Sequence, residues 1–196
     1  MERFTIKLQS YGNVKRVNMK KLLGAILLNF LFFNNSYSLI EVDITRGNLD
    51  PLPIAVSPLH VDIKSENYKD LRIKDLGNNI SKIIETNFRN TGLFNPLKKD
   101  AFVQKPDIAH LKPRFEDWRL IKAQALVTGK LLIKDEKLKV EFRLWDLTAA
   151  QEMTALAFTT TPSNWRRVAH IISDKIYERL TGEEGYFDTR IIFVAE

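Results

Sequence analysis

The sequence predicts an α+β fold, mixed α/β in looser usage: a mixed sheet of about five strands covered by two long helices and one short helix, preceded by a signal peptide. Three observations carry this. Apolar residues recur at helical spacing around 76–88 and again around 165–180. Three successive stretches between 125 and 161 read as strands joined by short polar turns. The chain has no cysteine, so it must rest on core burial rather than disulfides, which about 160 residues after the leader can supply.

The leader comes first. Lys15, Arg16, Lys20 and Lys21 precede an apolar run over 22–33 and then the polar NNSYS, the layout of a secretory signal peptide. Ser36 and Ser38 fit a small-x-small cleavage site, which places the cut between Ser38 and Leu39. The run falls short of the roughly 20 apolar residues of a membrane span, and Asn29 interrupts it, so no stable membrane insertion is expected after cleavage. Met19 is an alternative start that gives a leader of more ordinary length. No cysteine is present after it to carry a lipid anchor.

In the body, Ile40, Val42 and Ile44 alternate with Glu41, Asp43 and Thr45, the period-two pattern of a half-buried strand over 40–46. A turn over 47–51 leads to a second strand at 53–57, whose flanking prolines suggest an edge or end position. Residues 60–74 are polar and read as loop. Leu76, Ile80, Ile83, Ile84 and Phe88 form the stripe of the first long helix, stopped by Thr91 and Gly92, after which Leu93 and Phe94 return to the core. A charged, proline-punctuated stretch over 98–113 precedes a short helix marked by Phe115, Trp118, Leu120 and Ile121, with Trp118 expected in the core. Strands come next at 125–134, 137–147 and 152–161, the first two joined by a tight Asp135-Glu136 turn. Leu138, Val140, Phe142 and Leu144 alternate with Lys139, Glu141 and Arg143, so one sheet face is buried and one is wet. Thr161 and Pro162 open the last helix, Trp165, Val168, Ala169, Ile172, Ile176 and Leu180 give its stripe, and Gly182 stops it. A final apolar strand over 190–195 would expose an unpaired edge if it stood at a true end, so the chain reads as the front of something longer.

The chemistry points away from catalysis. The formal charge is +6, but Arg3, Lys7, Lys15, Arg16, Lys20 and Lys21 against Glu2 place most of it in residues 1–38. The remainder has mixed signs and lacks the one-sign field of a nucleic-acid binder. None of the eight glycines builds GxGxxG or a P-loop, so no nucleotide cofactor is expected. His60, His110 and His170 lie far apart in sequence, which gives no metal-ligand spacing. No GxSxG elbow surrounds a serine, and the pairs Asp135-Glu136 and Glu183-Glu184 sit in predicted turns, where solvation is their ordinary role. Trp165, Arg166 and Arg167 offer an aromatic and basic contact site, against which stands the plainer role of Trp165 as the anchor of its helix. A non-enzymatic binding or scaffolding domain is the expectation.

Residues 162–196, from PSNWRRVAH to FDTRIIFVAE, resemble the end of the amino-terminal domain of the TolB family of Tol-Pal proteins. DPLPIAV at 50–56, NTGLFNPL at 90–97 and FEDWRLIKAQALVTGKL at 115–131 resemble that family too, in the same order. The resemblance implies a leader over 1–38, the α/β domain over 39–182, and a linker with the first strand of a β-propeller over 183–196. It further implies a periplasmic adaptor that takes part in outer-membrane invagination during cell division and in envelope integrity. In this family the leading strand engages TolA, which corresponds here to Leu39, Ile40, Glu41, Val42, Asp43, Ile44, Thr45 and Arg46. The propeller engages Pal, and since this sequence lacks it, Pal binding is not expected. The residues themselves leave open a generic periplasmic small-ligand module, which would need a concave apolar pocket.

Overall fold

The computed structural model describes residues 50–62 and 75–189. The chain divides into units over 1–37 and 38–196, and every described residue belongs to the second. Its elements are β1 (Leu52–Val56), β2 (His60–Asp62), α1 (Leu76–Thr91), β3 (Phe94–Pro96), α2 (Pro106–Ala109), α3 (Phe115–Leu120), β4 (Ala125–Lys134), β5 (Lys137–Asp146), β6 (Gln151–Thr160) and α4 (Trp165–Thr181). Short 3-10 turns at Lys99–Ala101 and Pro162–Asn164 precede α2 and α4.

All six strands join one mixed sheet in the order β3-β1-β4-β5-β6. β1 runs parallel to both neighbours, Ile54 facing Pro96 on one side and Ala125 on the other. β2 pairs parallel with β4 further along, His60 against Lys130, so β1 and β2 line one side of β4 with a break between them at Ser57, Pro58 and Leu59. β4, β5 and β6 form an antiparallel meander. Its first turn holds Asp135 and Glu136 at φ of 48° and 59°, the two positive values that let a two-residue turn match the twist of its strands.

Both long helices cover one sheet face. Ile80, Ile84 and Phe88 of α1 and Ala169, Ile172, Ile176 and Leu180 of α4 meet Ile54, Val56, Val127, Leu131, Val140 and Phe142 in one buried cluster. The helices end where expected, on Gly92 and Gly182, whose φ of 72° and 77° a side chain would disfavour. Gly77 serves a different purpose. A Cβ there would run into the carbonyl of Leu59, so only glycine lets the start of α1 sit against the break between β1 and β2. Lys99 ties the segment after β3 to α1, donating to Ser81 Oγ at 2.8 Å and lying 3.1 Å from a Glu85 oxygen.

The opposite face carries a second cluster of Ala55, Leu126 and Trp145 with Trp118, Ala109, Ala123 and Leu147, covered by α2, α3 and their loops. Its indoles are tied by hydrogen bonds: Trp118 Nε1 donates to Gln104 Oε1 at 3.0 Å, and Trp145 Nε1 to Thr128 Oγ1 at 2.9 Å. Beyond this cluster the same face is wet, with Glu141 between Lys130 and Lys139 and Arg143 beside Glu152. Lysine donation and charge hold the Glu141 carboxyl below its usual range, with Lys139 the larger influence.

The predicted fold class holds, as do both long helices, the short helix with its buried Trp118, and the meander. Two expectations are corrected. The strand at 53–57 is β1, shifted by one residue, and it is interior rather than at an edge or end. Its inner proline is tolerated because Pro53 lies one residue ahead of the β4 register that begins at Ile54 and Ala125, while its carbonyl still accepts from Gln124 N at 2.9 Å. The loop read from residue 60 begins with β2, whose pairing to Lys130, Leu131 and Leu132 supplies what its short polar sequence does not advertise. Among the described residues the sheet has six strands, the four expected at 53–57, 125–134, 137–147 and 152–161 together with the three-residue β2 and β3. The strands read at 40–46 and 190–195 lie outside the described residues.

Candidate partner-binding surface

The eight residues expected to meet a partner, 39–46, and the cleavage site at Ser38 and Leu39 lie outside the described residues. What the structure places is the second contact motif of the sequence, the Trp165, Arg166 and Arg167 run at the start of α4. Its members separate. Trp165 is half-buried at the rim of the main core, and the Arg166 guanidinium lies over its ring at 4.6 Å from the centroid. Arg167 turns away to the Asp188 carboxylate, donating from Nε at 3.1 Å.

Trp165 and Arg166 face α1 across a groove of about 440 Å³ lined by Asn79, Lys82, Ile83, Thr86, Asn87, Trp165, Arg166 and His170. The α1 residues lie three and four apart, so they form one stripe along more than two turns. Lys82 and Arg166 are both exposed, and no carboxylate is among the lining residues.

The floor is held by a buried polar tie between the helices. Asn87 Nδ2 donates to Ser173 Oγ at 2.8 Å and lies 3.0 Å from His170 Nδ1, while Ser173 gives its own hydrogen to Ala169 O. With that hydroxyl hydrogen committed, the Asn87 nitrogen must be the donor, so His170 Nδ1 accepts and the ring hydrogen sits on Nε2. The trio is a cross-link rather than a nucleophilic arrangement, because Ser173 is fully buried and its hydrogen points at a backbone carbonyl.

The other residues weighed for chemistry fall elsewhere. His60 and His110, distant in sequence, stack with ring centroids 4.5 Å apart and nearly parallel, and His110 Nδ1 donates to Pro106 O at 3.0 Å. Among the described residues no group of three or more His, Cys, Asp or Glu side chains could hold a metal ion. Asp135, Glu136, Glu183 and Glu184 are exposed. No helix among the described residues is long and apolar enough to cross a membrane.

Known proteins share the fold. The family described as the TolB amino-terminal domain matches residues 40–153. The chain belongs to that family. A curated relative from Pelagibacter ubique (strain HTCC1062), Tol-Pal system protein TolB, is 66% identical over 179 residues, covering 87% of this chain and 40% of the relative. The chain therefore spans 40% of the length of the TolB relative it matches. A crystal structure of TolB from Acinetobacter baumannii shares the fold with a TM-score of 0.58 at 22% identity, over 76% of this chain and 33% of that one.

The TolB family match ends at residue 153, inside β6, whereas the folded unit continues through α4 to the loop after it. That loop is pinned: Asp174 accepts from Phe187 N at 2.6 Å and Asp188 N at 3.1 Å, and Phe187 packs edge-on to Tyr177. The groove residues of α1 do not stand out in the sequence. Asn87 is the available signal, a polar residue one position before Phe88 in an apolar stripe, answered by Ser173 beside Ile172 in the stripe of α4.

Proposed function

We propose that this chain is the amino-terminal part of a periplasmic component of the Tol-Pal system and works as a protein-protein adaptor without catalysis. The observation that carries this reading is the 66% identity to Tol-Pal system protein TolB, together with the family match over 40–153. Residues 1–38 are the cleaved leader that delivers it, 39–182 the adaptor domain, and 183–196 the link to the remainder of a full-length relative. Residues 39–46 engage the periplasmic domain of TolA as an added strand, with main-chain hydrogen bonds giving affinity and the alternating side chains giving specificity. Through that contact the protein takes part in outer-membrane invagination during division and in envelope integrity.

Calorimetry against the periplasmic domain of TolA tests this, using the whole chain and a variant lacking 39–46, each first shown to melt cooperatively. Binding by the whole chain and its loss in the shortened one is the expected result. Equal affinity in both would remove the leading strand from the contact, and no binding by a cooperatively folded chain would remove TolA as the partner.

A further inference from the structure

We infer that the groove between α1 and α4 is a docking site for an extended acidic peptide segment of a partner protein, one that sets an apolar side chain on Trp165 and carboxylates on Lys82 and Arg166. The inference stands on the groove itself and does not depend on the TolA reading. Three observations lead to it. The charge is one-sided: two exposed cations and no carboxylate line the groove. A cation sits on an apolar platform, because Arg166 lies over the half-buried Trp165 ring, while Asn87 holds His170 at the groove floor. Arginine held against an aromatic face is pre-organised, so it loses less freedom when it takes a carboxylate.

The shape selects a peptide. The α1 stripe from Asn79 to Asn87 rises about 12 Å at 1.5 Å per residue, room for about four residues of an extended chain at roughly 3.3 Å each. Alternate side chains of such a segment point the same way, so a Glu-x-Leu-x-Glu spacing sets both carboxylates and the apolar side chain on one face, towards the cations and the ring.

The test uses the 196-residue chain and capped synthetic peptides with a central leucine flanked two positions away on each side by either glutamate or lysine, with serine between. Trp118 and Trp145 are buried at 1% and 7% exposure, so a ligand-induced change in tryptophan emission reports chiefly on Trp165. The glutamate peptide should produce a saturable change and the lysine peptide none. Lys82→Glu with Arg166→Glu, both at exposed positions, should weaken the glutamate peptide at least tenfold and admit the lysine peptide. Lys20→Gln with Lys21→Gln, which discharges part of the basic leader, should change nothing. No saturation at millimolar peptide would overturn the inference, as would equal binding by the charge-reversed variant. So would tighter binding on removal of residues 39–46, which would give the groove to the chain's own acidic segment.

Discussion

The two faces of the sheet are built by different rules. Where α1 and α4 meet the sheet the packing is apolar, and Ile80, Ile84, Phe88, Ile172 and Ile176 are all fully buried. Under α2 and α3 the largest side chains are two indoles, each held by one polar partner, and that partner is itself buried: Gln104 at 3% exposure and Thr128 at 1%. Gln104 Oε1 takes a second hydrogen from Arg114 N at 2.9 Å, so one amide orients both the tryptophan and the entry into α3. The first face gains stability in proportion to area and tolerates exchange of one apolar side chain for another of similar volume. The second depends on a few directed bonds, and losing one partner leaves a donor stranded in a dry place.

The largest effect should come from the apolar face. Phe88→Ala removes a fully buried ring that meets Phe94 at 5.0 Å, and a loss of about 3–5 kcal/mol is expected from urea unfolding. A cost below about 1 kcal/mol would mean that the helices close over the gap and that the face is looser than its burial implies. Next comes the polar latch. Gln104→Ala should cost about 1–3 kcal/mol because the Trp118 indole and the Arg114 amide lose their acceptor. Combined with Trp118→Phe, the loss should be smaller than the sum of the two single losses, since phenylalanine has no donor to strand. Strict additivity would show that Gln104 acts through packing alone and that the two faces obey one rule after all.

The smallest effect returns to the apolar face through its one phenol. Burial raises the Tyr177 hydroxyl above its ordinary value of 10.0, with nearby negative charge adding to the shift. The unfolded chain therefore ionises first as pH rises. The tyrosine's contribution is complete below about pH 10 and drains away as pH climbs towards the raised folded value. Comparing urea midpoints at pH 8 and pH 11 should show a steeper alkaline decline in the parent than in Tyr177→Phe. Parallel declines would mean that the hydroxyl reaches water.

The same contrast decides how much of each face is legible in the sequence. A stripe repeats, so Ile80, Ile84 and Phe88 announce their helix, and Leu138, Val140, Phe142 and Leu144 announce their strand, before any tertiary contact is known. Gln104 repeats nothing. Its role exists only once α3 has brought Trp118 beside it, and in sequence it is one polar residue in a charged stretch. β2 is hidden likewise, because a single valine between His60 and Asp62 gives no period and only Leu131 opposite it makes a strand. The prolines around β1 mislead about its place, since they report where donors are missing and not how many neighbours a strand has. The groove is the least legible feature, because Lys82 and Arg166 come together only through the packing of two helices distant along the chain.

The interior place of β1 has a consequence in time. The meander can close early, since hairpins joined by short turns form in about 1–10 μs. β1 has no such shortcut: Ile54 must meet both Pro96 and Ala125, and each meeting closes a long loop before any contact rewards it. Seating β1 between β3 and β4 should therefore limit the refolding rate. On the ribosome the order of appearance is reversed, so a segment made early must wait, unpaired, until the strand that receives it has emerged.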